Sequence, residues 1–522
     1  MTATAPDDTD GRRVRASLRR VVVIPPRGFR RMLDSIRCHL SRSRLGLALG
    51  PAFAVVVYTL MPDVVPPAGA DVTSPRAAAL TAAVVVLMGV WWMTEAVPLA
   101  VTALLPVVLF PALGGVDVSA VTAPYASKVV FLFLGGFVLA AAMQRWRLHL
   151  RVALMVIKVF GTRPSRLVLG FMVATALLSM WVSNTATAVM MIPIGASVLT
   201  MLDRARGYAD ARLSASLMLG IAYAATIGSF GTIIGSPPNA LLVGYLEQTH
   251  GVTISFAQWM AVGLPLSVVF LALAWLVLTQ VVFRSKHGPL PGEDDLVRDK
   301  LAALGPMSHP ERRVLVVFLL TASSWIALPT LWPGTPVTDE VVAIIAAVVL
   351  FLLPAGAVGG GRLLEWPDTS ELPWGILLLF GGGLALASRI TGSGLAAWVG
   401  QRAHSLADLP PILLVVVVVA ITLAMTEFMS NTAAAATLLP IMGGVAIAVG
   451  VSPLLMTMPV ALAAACTFMM PAATPPNAIA YSSGYVTVPQ LVKAGAPLSA
   501  SSLVLIPATV YLMGGLVFGL AF

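Results

Sequence analysis

The chain has 522 residues, of which 58% are hydrophobic and 11% charged, and its mean hydropathy is +0.91. A soluble domain carries about a quarter charged residues, so the composition excludes a soluble globular protein and indicates a polytopic α-helical membrane protein. The net charge of +9 does not indicate a nucleic-acid partner, because eleven of the 32 Lys and Arg lie between Arg12 and Arg44, ahead of the first apolar segment. Basic residues in that place mark the cytoplasmic side of a membrane.

Four regions follow in chain order. Residues 1–46 form a basic tail that we predict to be cytoplasmic, and 47–283 hold the apolar segments of a first half. Residues 284–313 are polar, contain six Lys or Arg and are predicted to be a cytoplasmic linker. Residues 314–522 form an apolar second half. This pattern predicts a multi-pass membrane protein, surrounded by lipid, with its N-terminus in the cytoplasm.

The two halves repeat one another. The sequence LFLGGFVLAAAM from Leu132 matches LLFGGGLALASR from Leu378, at an offset of 246 residues. The triplet Ser-Asn-Thr at 183–185 recurs at 430–432, and GSPPN from Gly235 is answered by ATPPN from Ala473. Landmarks in the same order at nearly constant offset indicate an internal duplication. The period is far longer than that of a solenoid and is typical of the two-repeat secondary transporters.

The repeated Ser-Asn-Thr (SNT) triplets are the first candidate site. Short polar side chains compete with the helix for backbone hydrogen bonds, so each triplet predicts a helix break. Broken backbone at membrane depth persists only where it is buried in protein or lines a cavity. Its free carbonyl groups suit a small cation, and its free N–H groups suit an anion. Polar residues can instead join packed helices, but two matched triplets, each followed by a matched Pro-Pro-Asn turn, favour a site.

The Pro-Pro-Asn (PPN) turns are the second candidate element. Consecutive prolines remove two hydrogen-bond donors and prevent a regular helix, so each turn predicts an irregular loop at the end of a span. Carbonyl groups near Gly235 and Ala473 could then complete the cation sites that Asn184 and Asn431 begin. One such turn alone would be only a helix terminator.

These motifs together resemble the divalent anion:sodium symporter family, whose members transport dicarboxylates, citrate or sulfate. The resemblance includes WWMTEAVPLAVTALLP at 91–106, both SNT triplets, both PPN turns and the Gly-rich stretches, and it covers residues 47–522. It implies an all-α fold of two inverted repeats, with about 11 transmembrane helices and helices broken at the SNT motifs. It also implies two re-entrant hairpins, at about 128–146 and 373–392, an elevator-type mechanism and a homodimer.

The resemblance further implies the ligands of each site. One Na⁺ site would use Ser179, Ser183, Asn184 and the carbonyl of Gly235. The second would use Thr426, Ser430, Asn431 and the backbone at Ala473 and Pro475. The substrate carboxylates would meet Asn184, Thr185, Ser236, Asn431, Thr432 and Thr474. Since no Lys or Arg occurs in either motif, co-bound Na⁺ would neutralise the anion at membrane depth and couple the two movements.

The leading expectation is therefore a Na⁺-coupled importer of the bacterial plasma (inner) membrane that takes up a C4-dicarboxylate such as succinate, malate or fumarate. Three alternatives keep the same fold: a dicarboxylate exchanger, a proton-coupled transporter and a sulfate transporter. Glu427 could carry the proton, because it stands where the first copy has Met180 and an intramembrane carboxylate is a functional candidate. An enzyme is not indicated, because Ser183 and Ser430 have no His or Lys in their motifs to activate them.

Overall fold

The computed structural model describes residues 26–64, 74–161, 163–284, 301–332, 334–356, 361–402 and 409–520, and within them the side chains from residue 43 onward except that of Ala205. Within these ranges the chain is helical, and its one β feature is an isolated bridge between Pro354 and Arg362. Most of the predicted basic tail, at 1–25, and most of the predicted linker, at 285–300, lie outside the described residues.

The helices of the first half begin inside the predicted tail. They are, in order, α1 Pro26–Leu60, α2 Ala77–Thr94, α3 Leu99–Thr102, α4 Leu105–Gly114, α5 Val118–Thr122, α6 Lys128–Arg145, α7 Leu148–Phe160, α8 Pro164–Ser179, α9 Asn184–Arg206, α10 Ala211–Gly228, α11 Pro237–His250 and α12 Phe256–Leu276. A π-helical turn at Val277–Val282 extends α12.

The helices of the second half begin at the end of the predicted linker. They are α13 His309–Leu331, α14 Asp339–Leu352, α15 Trp374–Gly392, α16 Leu395–Arg402, α17 Pro411–Thr426, α18 Asn431–Val449, α19 Pro453–Ala464, α20 Pro475–Ser482 and α21 Val488–Phe518.

Ten helices in the described ranges are long and apolar enough to cross a membrane. The predicted all-α polytopic fold is confirmed, although about eleven spans had been expected. Four apolar segments are shorter, and α8, α17 and α19 are among them. These three helices flank the SNT triplets or precede the second PPN turn, so they belong to the irregular elements rather than to simple spans.

The internal duplication is visible in the order of the elements. In the first half, α6 and α7 precede α8, the first SNT triplet and α9, and α10, the PPN turn, α11 and α12 follow. In the second half, α15 and α16 precede α17, the second triplet and α18, and α19, the PPN turn, α20 and α21 follow. Two copies of one unit of seven helices and two irregular turns therefore make up most of the described chain.

The structure corrects the predicted positions of the two hairpins, at about 128–146 and 373–392. Each of these segments is one continuous helix, α6 or α15. The chain turns only after each helix, at Arg147 with φ 56° and at Gly394 with φ 82°. About 18 apolar residues suit one full crossing as well as two short arms, and here the Gly-rich sequence supports close packing along one helix. Gly135 of α6, for example, packs against the backbone of Ala343 in α14.

The hairpins lie instead at the SNT triplets. Helix α8 runs parallel to α10, because Gly220 packs against Met172 and, farther along both helices, Gly228 packs on the backbone of Ala176. Helix α9 runs antiparallel to α10, because Asn184 lies near Ser229 whereas Gly195 packs against Leu217 and Ile221. The chain therefore reverses direction at the first triplet.

The second triplet makes the same reversal. Both α17 and α18 pack against α19. Thr426, at the end of α17, and Asn431, at the start of α18, both lie at the C-terminal end of α19, beside Ala464 and Thr467. Since α17 arrives at this end and α18 leaves from it along the same helix, the two helices are antiparallel arms of a hairpin.

Helices α10 and α19 form the buried centre of each half. Every residue from Leu213 to Gly228 in α10 is buried, and so is every residue from Leu454 to Ala464 in α19. Each of these helices ends in an irregular segment that leads to a PPN turn. The hairpin tips thus meet non-helical backbone in the interior of the protein, which is where such backbone is tolerated in a membrane protein.

Candidate functional site

The tip of the first hairpin is set by its own sequence. Ser183 has φ −56° and ψ 144°, outside the helical region, and its Oγ accepts a hydrogen bond from the N–H of Ala186 at 3.3 Å. This is helix N-capping by serine, and it makes Asn184 the first residue of α9. Ser430 has nearly the same backbone angles, φ −59° and ψ 134°, and precedes α18 in the same way.

Three oxygen atoms gather behind the first tip. Ser179, which is fully buried, has its Oγ 3.1 Å from Asn184 Oδ1 and also within hydrogen-bond distance of the carbonyl oxygen of Ala225. The single hydroxyl hydrogen of Ser179 can be donated to only one of these two acceptors at a time. We call Ser179, Asn184 and Ala225 the first cage.

The second half builds the same cluster. Thr426 Oγ1 donates towards Asn431 Oδ1 at 3.1 Å and towards the carbonyl oxygen of Ala464 at 2.7 Å, and Thr467 Oγ1 donates to Asn431 Oδ1 at 3.2 Å. Thr426 and Thr467 are fully buried. We call Thr426, Asn431, Ala464 and Thr467 the second cage. Hydroxyl, amide and broken-helix carbonyl oxygens of this kind are the ligands that transporters use for Na⁺.

The asparagines of the PPN turns hold the irregular loops together. Asn239 is fully buried, and its Nδ2 donates to the carbonyl oxygens of Ser229 at 3.0 Å and Thr232 at 2.9 Å. Asn477 is equally buried and donates to the matching carbonyls of Thr467 at 3.3 Å and Met470 at 3.2 Å. These bonds satisfy backbone groups that the broken helices leave free.

The predicted substrate residues all lie at helix N-termini. Asn184 and Thr185 begin α9, and Asn431 and Thr432 begin α18. Ser236 and Thr474 are the N-cap positions of α11 and α20, where they are 2% and 3% exposed. Each helix N-terminus presents free N–H groups and a partial positive charge, which suit a carboxylate.

Contacts between the halves bring these elements into one body. Helix α9 packs against α20, and α11 packs against α18, so each hairpin contacts the broken helix of the other half. Tyr223 of α10 donates its hydroxyl to the carbonyl oxygen of Phe468 at 3.0 Å, which joins the centre of the first half to the second loop.

Comparison with known proteins identifies the family. Residues 49–520 match the model of the sodium:sulfate symporter transmembrane region. The chain belongs to this family. The resemblance to divalent anion:sodium symporters that the motifs indicated is thereby confirmed, and the protein is a multi-pass membrane transporter and not an enzyme.

Two relatives of this symporter are similar along nearly their whole length. The sodium-dependent dicarboxylate transporter SdcS of Staphylococcus saprophyticus is 40% identical over 481 residues, which cover 90% of this chain and 91% of the relative. SdcS of Staphylococcus aureus strain USA300 is 42% identical over 490 residues, covering 91% and 92%. The crystal structure of the Alcanivorax borkumensis YdaH transporter has a similar fold, with a TM-score of 0.55 at 15% identity, over 92% of this chain and 98% of that one.

The symporter fold adds residues that sequence reasoning missed. The carbonyl groups of Ala225 and Ala464 complete the cages, and Thr467 joins the second cage. Ser229, at the matching position of the first half, accepts a weak hydrogen bond from Asn184 Nδ2 at 3.4 Å. The offset of 238 residues between the PPN turns would have paired Ser229 with Thr467. The contributions of Gly235, Ala473 and Pro475 stay a prediction.

Proposed function

We propose that the protein couples the entry of Na⁺ to the uptake of a C4-dicarboxylate such as succinate, malate or fumarate. The observation that carries this proposal is the pair of matched cages, each built at the tip of a hairpin and beside helix N-termini. The relatives are sodium-dependent dicarboxylate transporters, which supports the same ion and the same substrate class.

The cages supply the cation ligands. In each, a buried hydroxyl, an Asn amide oxygen and a backbone carbonyl offer neutral oxygens to one ion, without a Lys or Arg in either motif. Ser183 and Gly235 would extend the first cage, and Ser430, Ala473 and Pro475 the second. Because each Asn belongs to a cage and begins a helix, an ion that orients the Asn oxygen also fixes the N-terminus that faces the substrate.

The anion site follows from this arrangement. Two carboxylates would be held by Asn184, Thr185 and Ser236 from one half and by Asn431, Thr432 and Thr474 from the other. Moving an unneutralised dianion through the hydrocarbon region is strongly unfavourable. The substrate would therefore cross only together with the ions, by an elevator-type movement of the hairpins and broken helices in a homodimer of inverted repeats, with the N-terminus in the cytoplasm of the cell.

Reconstituted protein tests this proposal. Proteoliposomes loaded with K⁺ are placed in Na⁺ medium, and the uptake of labelled succinate is compared with uptake in choline medium. We expect accumulation above the external concentration with Na⁺ and none with choline. Equal uptake in the two media would refute Na⁺ coupling, and competition by excess sulfate would identify sulfate as a substrate.

The buried carboxylate of Glu427, which is 7% exposed, gives a specific reason to test proton coupling or exchange as well. An inward proton gradient without Na⁺ would drive uptake in the proton-coupled case. Uptake that requires only internal dicarboxylate would identify an exchanger.

A further inference from the structure

The two cages differ at one matched position. The residue that follows the cage hydroxyl is Met180 in the first half and Glu427 in the second, at the same offset of 247 residues as the SNT triplets. Ser179 and Thr426, one residue earlier, make equivalent contacts. The two copies therefore differ here in charge, because only the second half has a carboxylate at this position.

In the first half the surroundings are apolar. The Met180 side chain packs against Gly231. Ser267, on the neighbouring helix α12, donates its hydroxyl to the carbonyl oxygen of Ile227 at 2.8 Å. None of these four residues, Met180, Gly231, Ser267 and Ile227, carries a charged side chain.

In the second half, two backbone N–H groups and a serine hydroxyl donate hydrogen bonds to Glu427. Its Oε1 accepts hydrogen bonds from the N–H of Phe468 at 3.3 Å, the N–H of Met469 at 3.4 Å and the hydroxyl of Ser499 on α21 at 3.4 Å. All three contacts are hydrogen-bond donors, which favour the ionised form of a carboxyl group, whereas burial of the side chain favours the protonated form unless a cation lies nearby. The other oxygen, Oε2, is buried and has no hydrogen-bond partner among the described residues.

Glu427 is linked to the second cage in two ways, through the neighbouring residue Thr426 and through the loop that contains Thr467. Glu427 directly follows Thr426 in the chain. The N–H groups that donate to Glu427 belong to the two residues after Thr467, whose hydroxyl donates to Asn431. Within the described ranges, no salt bridge joins Glu427 to a Lys, Arg or His. A buried anion without a partner is strongly unfavourable, so a cation in the second cage is the nearest compensating charge.

We propose that Glu427 is an anionic positioning residue that makes the second cage the stronger of the two cation sites, so that it fills first and without substrate. Glu427 acts through its charge and through its hydrogen bonds to the N–H groups of Phe468 and Met469, not as an ion ligand. The inference rests on the proposed Na⁺ coupling, and it assigns an order to the two sites.

The test compares Glu427→Gln with Met180→Leu, the substitution at the matched position that changes no charge. Gln keeps an oxygen that can accept the same hydrogen bonds. Thermal unfolding of purified protein is followed against Na⁺ concentration, with choline replacing Na⁺ and without dicarboxylate. We expect the half-saturating Na⁺ concentration to rise about tenfold in Glu427→Gln, as loss of a nearby buried charge predicts, and to stay within about twofold in Met180→Leu.

An unchanged half-saturating concentration in Glu427→Gln, while wild-type uptake still requires Na⁺, would overturn this inference and leave the proposed function standing. Wild-type uptake indifferent to Na⁺ would instead refute the proposed function. If the Gln variant does not fold, Glu427→Asp and Glu427→Asn serve, because they match in size and differ in charge. The Asp variant should bind Na⁺ at least about fivefold more tightly than the Asn variant, and equal values would overturn the inference.

Discussion

Removing one oxygen from the second cage should weaken Na⁺ binding by a predictable amount. Thr426→Val keeps the shape of the side chain but deletes Oγ1, which lies 3.1 Å from Asn431 Oδ1 and 2.7 Å from the Ala464 carbonyl oxygen. A hydrogen bond or polar contact to a charged group contributes about 1.5–3 kcal/mol. Since 1.4 kcal/mol is tenfold in affinity, we expect half-saturating Na⁺ for succinate uptake to rise about tenfold to a hundredfold.

The same helix supplies a matched control. Thr422, one turn earlier in α17, is also fully buried, and its Oγ1 donates only to the Val418 carbonyl oxygen of its own helix at 2.7 Å. Thr422→Val deletes the same atom from the same residue type without touching the cage. Initial rates of labelled succinate uptake in proteoliposomes, measured across Na⁺ concentrations for both variants and wild type, give the comparison.

The reasoning about the cage would be refuted if Thr426→Val and Thr422→Val shifted the half-saturating Na⁺ concentration equally. A maximal rate that falls in both variants without a change in Na⁺ dependence would show that the hydroxyls matter only for helix packing. The expected result is a large shift for Thr426→Val and a shift within about twofold for Thr422→Val.

Three further predictions concern the same elements. Asn184→Ala and Asn431→Ala should each reduce Na⁺-driven succinate uptake below about a tenth of wild type while the protein still inserts into the membrane, and near-normal uptake by both would remove the SNT triplets from the site. Ser179→Ala should raise half-saturating Na⁺ whereas Thr175→Val, one turn earlier and bonded only to its own helix, should not; equal Na⁺ titrations would contradict the first cage. Asn239→Ala removes the side-chain donor that two buried carbonyl groups share, so we expect a lower unfolding temperature together with lost uptake, and unchanged thermal unfolding would show that this loop does not depend on Asn239.

The sequence allowed the helical class, the duplication and the two motif pairs to be predicted, because each depends on local composition and matched spacing. Polar triplets in apolar surroundings stand out at 183–185 and 430–432, and consecutive prolines mark the irregular turns that follow. The placement of the hairpins could not be predicted in this way. Whether α8 and α9 form one broken span or two antiparallel arms depends on how both pack on α10, through contacts such as Gly228 on Ala176.

The cage carbonyls were beyond sequence reasoning for a different reason. Every residue has a carbonyl oxygen, so Ala225 and Ala464 carry no side-chain signal of their role. Each becomes a candidate ligand because the hydroxyl of Ser179 or Thr426 is held against it by long-range packing. The Asn side chains of the PPN turns differ, because the motif is visible in the sequence. Only the structure shows that these side chains donate hydrogen bonds to the loop carbonyl oxygens.

Binding of succinate to the purified wild-type protein tests the central claim most directly, namely that filled cation cages shape the anion site. The amount of labelled succinate bound in detergent solution is measured while Na⁺ is replaced by K⁺ at constant ionic strength. The two cages predict saturable binding that rises with Na⁺ and is lost in K⁺. Succinate binding of equal affinity in Na⁺ and in K⁺ would contradict the account.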